Sequence, residues 1–253
     1  MNGGYVALLD VLGFSALVAA DPSGERVRRY IDCLGNATED REVDFVVFSD
    51  SIVLTAKGDS PESLIAVAGA CSRLLSHLLD EGIPLRGAIA FGDFFRSRVA
   101  ESVFVAGRAV IDAYQFEQAQ NWVGVMIAPS ALARVPDLNS RCRLVDPANN
   151  DELERLLERV PWPVFIQPCR RIPFRASSPL DDPAFDGFAV VPTKGAFEPM
   201  AIRDSIKIAI DRLSWLRSIA PSPSAQRKYE EPRNWLSNIQ QQWHMVGFRR
   251  GQF

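Results

Sequence analysis

The chain has only two histidines, His77 and His244, too far apart for zinc-ligand spacing. Its four cysteines, Cys33, Cys71, Cys142 and Cys169, contain no CxxC pair. That argues against a disulfide framework and for buried free thiols in a reducing compartment. There is no excess of positive charge: the net charge is −3, which offers no general surface for nucleic acid. No basic segment followed by an apolar one opens the chain, and no apolar run approaches the ~20 residues that span a bilayer. Repeats and low-complexity tracts are missing too. These absences predict a soluble cytoplasmic protein that binds neither nucleic acid nor membrane.

What is present is an ordinary globular composition with 47% apolar residues, enough for a substantial core. Residues 5–11 read as a buried strand, and a short helix starts near Phe14, followed by another over about 24–35. Residues 43–48 and 52–56 are two strands separated only by Ser49, Asp50 and Ser51, which predicts a tight hairpin. Ser60-Pro61-Glu62 is a helix start, Leu64, Val67, Ala68, Cys71, Leu74, Leu75 and Leu78 follow helical spacing, and Gly82 ends it. A strand over 84–92, a short one over 103–106, a helix over 109–119 and a strand over 123–128 complete the first half. The order predicts an α+β fold with a ferredoxin-like, or palm, βαββαβ core over residues 1–135. Residues 136–253 form an extension expected to pack on that core within the same domain. It holds a helix over 150–159, two strands within 160–195, a helix over 200–218 and a last helix over 225–242.

In this topology the first strand lies beside the hairpin. Asp10, at the end of one, and Asp50, in the turn of the other, are then neighbours. Two adjacent carboxylates repel unless a proton or a cation lies between them, and hard carboxylate oxygens suit Mg²⁺ or Mn²⁺. The Gly13-Phe14-Ser15 segment starts a helix directly after Asp10, where free backbone N–H groups favour phosphate.

These residues resemble the class III nucleotidyl cyclases. "DVLGFS" (10–15) is similar to the Asp-Ile-x-Gly-Phe-Thr motif of that family, and "FSDSIVL" (48–54) stands where its second metal aspartate lies. "LRGAIAFGD" (85–93) and "VIDAYQFEQA" (110–119) resemble its next strand and helix, the latter keeping Val110, Ala113 and Glu117. There are departures. The family's transition-state Asn and Arg positions are Ile111 and Gln115, and its purine-reading positions are Val46 and Phe104. In its "LLDVLGF", "FSDSI" and "RGAI" segments the chain is similar to the pyrimidine cyclases of bacterial Pycsar antiphage systems.

The resemblance implies a cyclase that converts UTP to 3′,5′-cyclic UMP and pyrophosphate, with cyclic CMP from CTP as the next choice. It implies two divalent cations, Mn²⁺ or Mg²⁺, held by Asp10, Asp50 and the Val11 carbonyl, and phosphates held by the amides of Gly13, Phe14 and Ser15. Arg86 and two arginines expected in a turn after Gly92, Arg96 and Arg98, are the candidate phosphate cations, with Lys194 of "VPTKG" a looser one. A homodimer would carry two composite sites, with Tyr114 and Gln115 reaching the partner's nucleotide and Val46, Phe48 and Phe104 narrowing the base pocket. The product would activate a separate effector. Adenylate cyclase and a catalytically silent nucleotide-binding module are the alternatives, and a diguanylate cyclase would need Gly-Gly-Asp/Glu-Glu-Phe where this hairpin has "FSDSI".

Overall fold

The computed structural model describes residues 2–37, 43–99, 102–136, 138, 166–175, 184–194 and 199–250. Within these, the first strand β1 (Asn2–Val11) leads through helices α1 (Phe14–Ala19) and α2 (Glu25–Ala37) to the hairpin of β2 (Asp44–Phe48) and β3 (Ser51–Lys57). Helix α3 (Pro61–Asp80) returns the chain to β4 (Leu85–Val99) and β5 (Ser102–Gly107). Helix α4 (Arg108–Ala119), β6 (Gly124–Ile127) and the short α5 (Pro129–Leu132) follow. Two further strands, β7 (Ile166–Pro173) and β8 (Ala184–Val190), precede helices α6 (Pro199–Ile219) and α7 (Pro223–Arg250).

The strands form one mixed sheet in the order β2-β3-β1-β4-β6-β8-β7, with β5 paired to β4. Its first four strands run antiparallel to their neighbours in the ferredoxin-like order β2-β3-β1-β4, which is the α+β core expected from the sequence. Strand β6 is parallel to β4, as the crossover through α4 requires, and β8 pairs with β6. The last two strands therefore widen the same sheet.

Alternation along β1 sorts the two faces. Tyr5, Ala7, Leu9 and Val11 are buried in the cluster that contains α3, whereas Val6, Leu8 and Asp10 point to the face that carries α4. Helix α3 forms where its signals place it. The Ser60 hydroxyl accepts the Ser63 N–H at 3.4 Å, Pro61 opens the first turn, and Gly82 follows the end at φ 70°. All seven residues on its predicted stripe are buried. By length and composition α3 could cross a membrane, contrary to the expectation that no segment would; here its apolar side chains fill the space under the sheet. Burial of each of its leucines contributes about 1.5–3 kcal/mol.

Five expectations are corrected or fall outside the described residues. The strand predicted over 84–92 runs on to Val99, because a second antiparallel partner, β5, receives its hydrogen bonds. Arg96 and Arg98 are therefore on a strand, opposite Val105 and Val103, and not in a turn. The last helix is longer than predicted, from Pro223 to Arg250. The helix expected over 150–159 lies outside the described residues, as does Cys142; Cys33, Cys71 and Cys169 are buried free thiols.

Candidate active site

The end of β1 meets the β2–β3 turn as the topology demands. Asp10 is opposite Ser51, and the Val11 N–H donates to the Asp50 carbonyl at 3.1 Å. The turn itself is only Ser49 and Asp50. Ser49 has φ 58°, a left-handed backbone at the first turn position where hairpins favour glycine. Such a residue persists only where its surroundings hold it. The holder is Tyr30 of α2, whose hydroxyl donates to the Ser49 carbonyl at 3.2 Å and whose ring meets Phe14 edge-on at 5.3 Å. Helices α1 and α2 thus brace the turn that presents Asp50. Burial pushes the Tyr30 phenol up to about 12, and the nearby Asp50 and Asp10 carboxylates add to this.

On the other side of Asp10 is Arg86, its cross-strand partner on β4. The Arg86 Nη2 lies 3.7 Å from the Asp10 Oδ2. This arginine is almost wholly buried, and its main partner is Glu117 of α4, itself 1% exposed. The Arg86 Nε donates to the Glu117 Oε1 at 2.6 Å, and Nη1 donates to the Gln120 carbonyl at 3.2 Å. Gln118 Nε2 donates to the second Glu117 oxygen at 2.7 Å. Gln120 is also buried, donating to the Gly87 and Phe116 carbonyls and accepting the Trp122 indole N–H. The close approach behind this network needs Gly87: a Cβ there would lie 2.2 Å from Leu9 Cδ2 and 2.7 Å from the Leu8 carbonyl oxygen.

Asp10 is consequently a carboxylate in a crowded place. Burial, then the negative charges of Glu117 and Asp50, push it up to about 6, against the pull of Arg86 and Arg175. Arg86 offsets only part of this, because Glu117 holds that guanidinium closer. Asp10 and Asp50 are left as two hard oxygen donors with mutual repulsion. Among the described residues no three His, Cys, Asp or Glu form a metal cluster. A two-carboxylate set still fits Mg²⁺ or Mn²⁺, which commonly take one or two carboxylates and complete their shell with water and phosphate oxygens. The Val11 carbonyl is on the same strand end.

Gly13 precedes α1 with φ 78°, so the segment leaves β1 through a left-handed step with Phe14 and Ser15 in the first helical turn. The remaining candidates disperse. Arg96 is salt-bridged at 3.0 Å to Asp44, at the opposite end of β2 from Asp50. Arg98 is exposed further along β4. Lys194 pairs with Asp80 at the end of α3, on the other face of the sheet from Asp10. Val46 is half-buried on β2 and Gln115 exposed on α4. Phe48, Phe104 and Tyr114 are 81%, 56% and 53% exposed, so within one chain they enclose no base pocket. Phe104 instead packs on Phe95, with ring centroids 6.5 Å apart.

The sequence reading gave Arg86 to phosphate and gave Glu117 no role. The signal for their pairing was present: Glu117 lies on the buried stripe of α4, four residues after Ala113, and Arg86 interrupts an apolar strand. Charges in such positions are found paired. Arg175 was missed altogether, because nothing local places it near Asp10.

No protein-family model matches the chain, and no curated protein does. Solved structures similar to it include adenylate cyclases from Trypanosoma brucei in their monomeric state, at 14% identity and TM-score 0.48, with 75% of this chain and 90% of the other covered. A bacterial light-regulated adenylyl cyclase is similar at 13% identity and TM-score 0.44, over 82% and 98% of the two chains. The guanylyl cyclase domain of the RhoGC fusion protein from the aquatic fungus Blastocladiella emersonii is similar at 11% and 0.43, over 54% and 85%. Likeness this distant adds no argument about activity; the fold stands on its own strand order.

Proposed function

We propose that the chain is a metal-dependent nucleotidyl cyclase acting on a pyrimidine nucleoside triphosphate, with UTP the first choice and CTP the second. The observation that carries this reading is the meeting of the Asp10 strand end with the Asp50 turn, where Glu117 holds Arg86 more closely than Asp10 does. Together with the Val11 carbonyl they would hold divalent cations, which when bound lower the pKa of a hydroxyl and neutralise phosphate charge. In the reaction the ribose 3′ oxygen bonds to the α-phosphorus, its proton is lost, and the bond to the β-phosphate bridging oxygen breaks to release pyrophosphate. The chain's own contribution is positional. The Glu117–Arg86 pair fixes the side of Asp10 that faces the core, and Tyr30 fixes the Asp50 turn. The amides of Gly13, Phe14 and Ser15 are offered for the phosphates.

The exposed aromatic residues support a homodimer. Phe48 and Tyr114, with Ile111 at 59% exposure, and Phe104 further along the sheet on β5, leave apolar surface that a second copy would cover. Apolar Val46 and Phe104 at positions that read purines in similar enzymes favour a pyrimidine. By the same similarity the cyclic product activates a separate effector in antiphage defence. Ile111, apolar where a transition-state Asn is expected, favours a second reading: a protein that binds the nucleotide without turnover.

The test is incubation with ATP, GTP, CTP or UTP and Mn²⁺, with chromatography of the products and an Asp50→Asn control. A cyclic pyrimidine nucleotide that disappears in the control is the expected result. Nucleotide binding without any cyclic product would establish the second reading.

A further inference from the structure

At the end of the sheet that β7 and β8 add lies a cavity lined by none of the candidate site residues. It has a volume of about 370 Å³ and sits between the edge strand β7 and one stripe of α7. Trp122 and Trp235 form its aromatic wall, their ring centroids 5.8 Å apart. Both indoles are already held. Trp122 Nε1 donates to Gln120 Oε1 at 2.7 Å, and Trp235 Nε1 donates to the Pro168 carbonyl at 3.0 Å. The helix is held too. Pro232 lacks the N–H that would donate to the Lys228 carbonyl, and the Val123 N–H donates there at 3.1 Å instead. The cavity is therefore preformed, as small-molecule sites usually are.

Its polar groups select the ligand. Gln167, only 6% exposed, brings a buried carboxamide, and Asn234 and Asn238 of α7 bring two more. Each carboxamide offers both a donor and an acceptor, the combination that pairs with the edge of a nucleobase. The charged lining residues, Arg170 and Glu231, are exposed and opposite in sign, so they supply no net charge for a phosphate or a carboxylate. An added peptide strand fits poorly. Pro168 and Pro173 break the row of N–H donors on β7, and Trp235 already takes the Pro168 carbonyl. We propose that this cavity binds an uncharged nucleoside, its base against the tryptophan wall and its polar edge on the carboxamides. Aromatic stacking accepts any base, so the choice among bases falls to the carboxamides. Trp122 also joins the cavity to the network behind Asp10, since Gln120 holds its indole and accepts Arg86 through its carbonyl.

The test is titration of the full chain, without metal, with uridine, cytidine, adenosine and guanosine, followed by tryptophan fluorescence and by calorimetry. The expected result is a fluorescence change with at least one nucleoside and a dissociation constant below about 1 mM. That constant should rise at least about fivefold in Asn234→Ala or Asn238→Ala, both at exposed helix positions, and hold in Lys207→Gln on α6. Adding a 5′-phosphate to the nucleoside should not tighten binding. No heat and no fluorescence change with any of the four nucleosides overturns the proposal. Binding left unchanged by both asparagine variants overturns it also, since the nucleoside then sits elsewhere. A 5′-monophosphate bound at least about tenfold more tightly than its nucleoside overturns the uncharged ligand. A chain that binds a nucleoside at these asparagines and forms no cyclic product still supports the site.

Discussion

The two faces of the sheet are built to different rules. Under one face α3 lays down a continuous apolar layer, and the residues of β1 that meet it, Tyr5, Ala7, Leu9 and Val11, are at most 2% exposed. On the other face α4 covers only part of the sheet. There Val6 is buried, Leu8 half-buried, and Asp10 is flanked by an arginine, a glutamate and a second aspartate. The first face holds the fold mainly by burial, with the buried Ser72 and Thr193 hydroxyls paired inside it. The second sacrifices burial to keep charges near one another at the strand ends, which is the usual relation between a scaffold and a site.

That contrast can be broken in order of effect. Asp50→Asn leaves both apolar layers untouched and is expected to abolish cyclic product while the melting temperature stays near wild type, read by chromatography and calorimetry. An active Asp50→Asn enzyme would remove the second face from the chemistry. Glu117→Gln strands the buried Arg86 charge and should cost about 3–5 kcal/mol of stability in denaturant titration. A cost below about 1 kcal/mol would mean that the pair is solvated, as exposed pairs are.

Leu74→Ala on the α3 face should cost about 2–5 kcal/mol through the cavity it leaves. The distinguishing readout is the nucleotide KM, which should hold in Leu74→Ala and rise in Glu117→Gln. Phe48→Ser, at 81% exposure, should change the stability of the single chain by no more than about 0.5 kcal/mol, yet shift a dimer toward monomer in sedimentation.

The smallest effect concerns pH. The native Asp10 carboxyl titrates at about 6, above its ordinary 3.8, so ionising it disfavours the folded state fully above pH 6, and the handicap fades as pH falls through that value toward 4. In metal-free buffer Asp10→Asn should therefore melt higher than wild type at pH 8, with the difference shrinking below pH 6. A difference independent of pH would place its cause outside the carboxylate charge.

Much of the first half was readable because its signals are local. The α3 stripe, its Ser60-Pro61 start and Gly82 stop, the two-residue hairpin and the alternation of β1 are each set by neighbours a few residues apart. The juxtaposition of Asp10 and Asp50 needed only the strand order on top of these. The misreadings have a different origin. Arg96 and Arg98 look like turn residues until β5 supplies a partner that prolongs β4. Arg86 looks like a free cation until α4 lowers Glu117 onto it.

By itself, then, the sequence determined which segments become helix or strand, which face of each is apolar, and that two carboxylates end neighbouring strands, because propensity, capping and periodicity act over a few residues. Only the tertiary structure decided what each charge meets. Arg86, Glu117 and Arg175 are separated by tens of residues, and their placement depends on which helix covers which face and on the end of β7 meeting the segment between α4 and β6. Electrostatic partnership is a property of distance in space and of removal from water, and neither exists in the chain until the layers are packed.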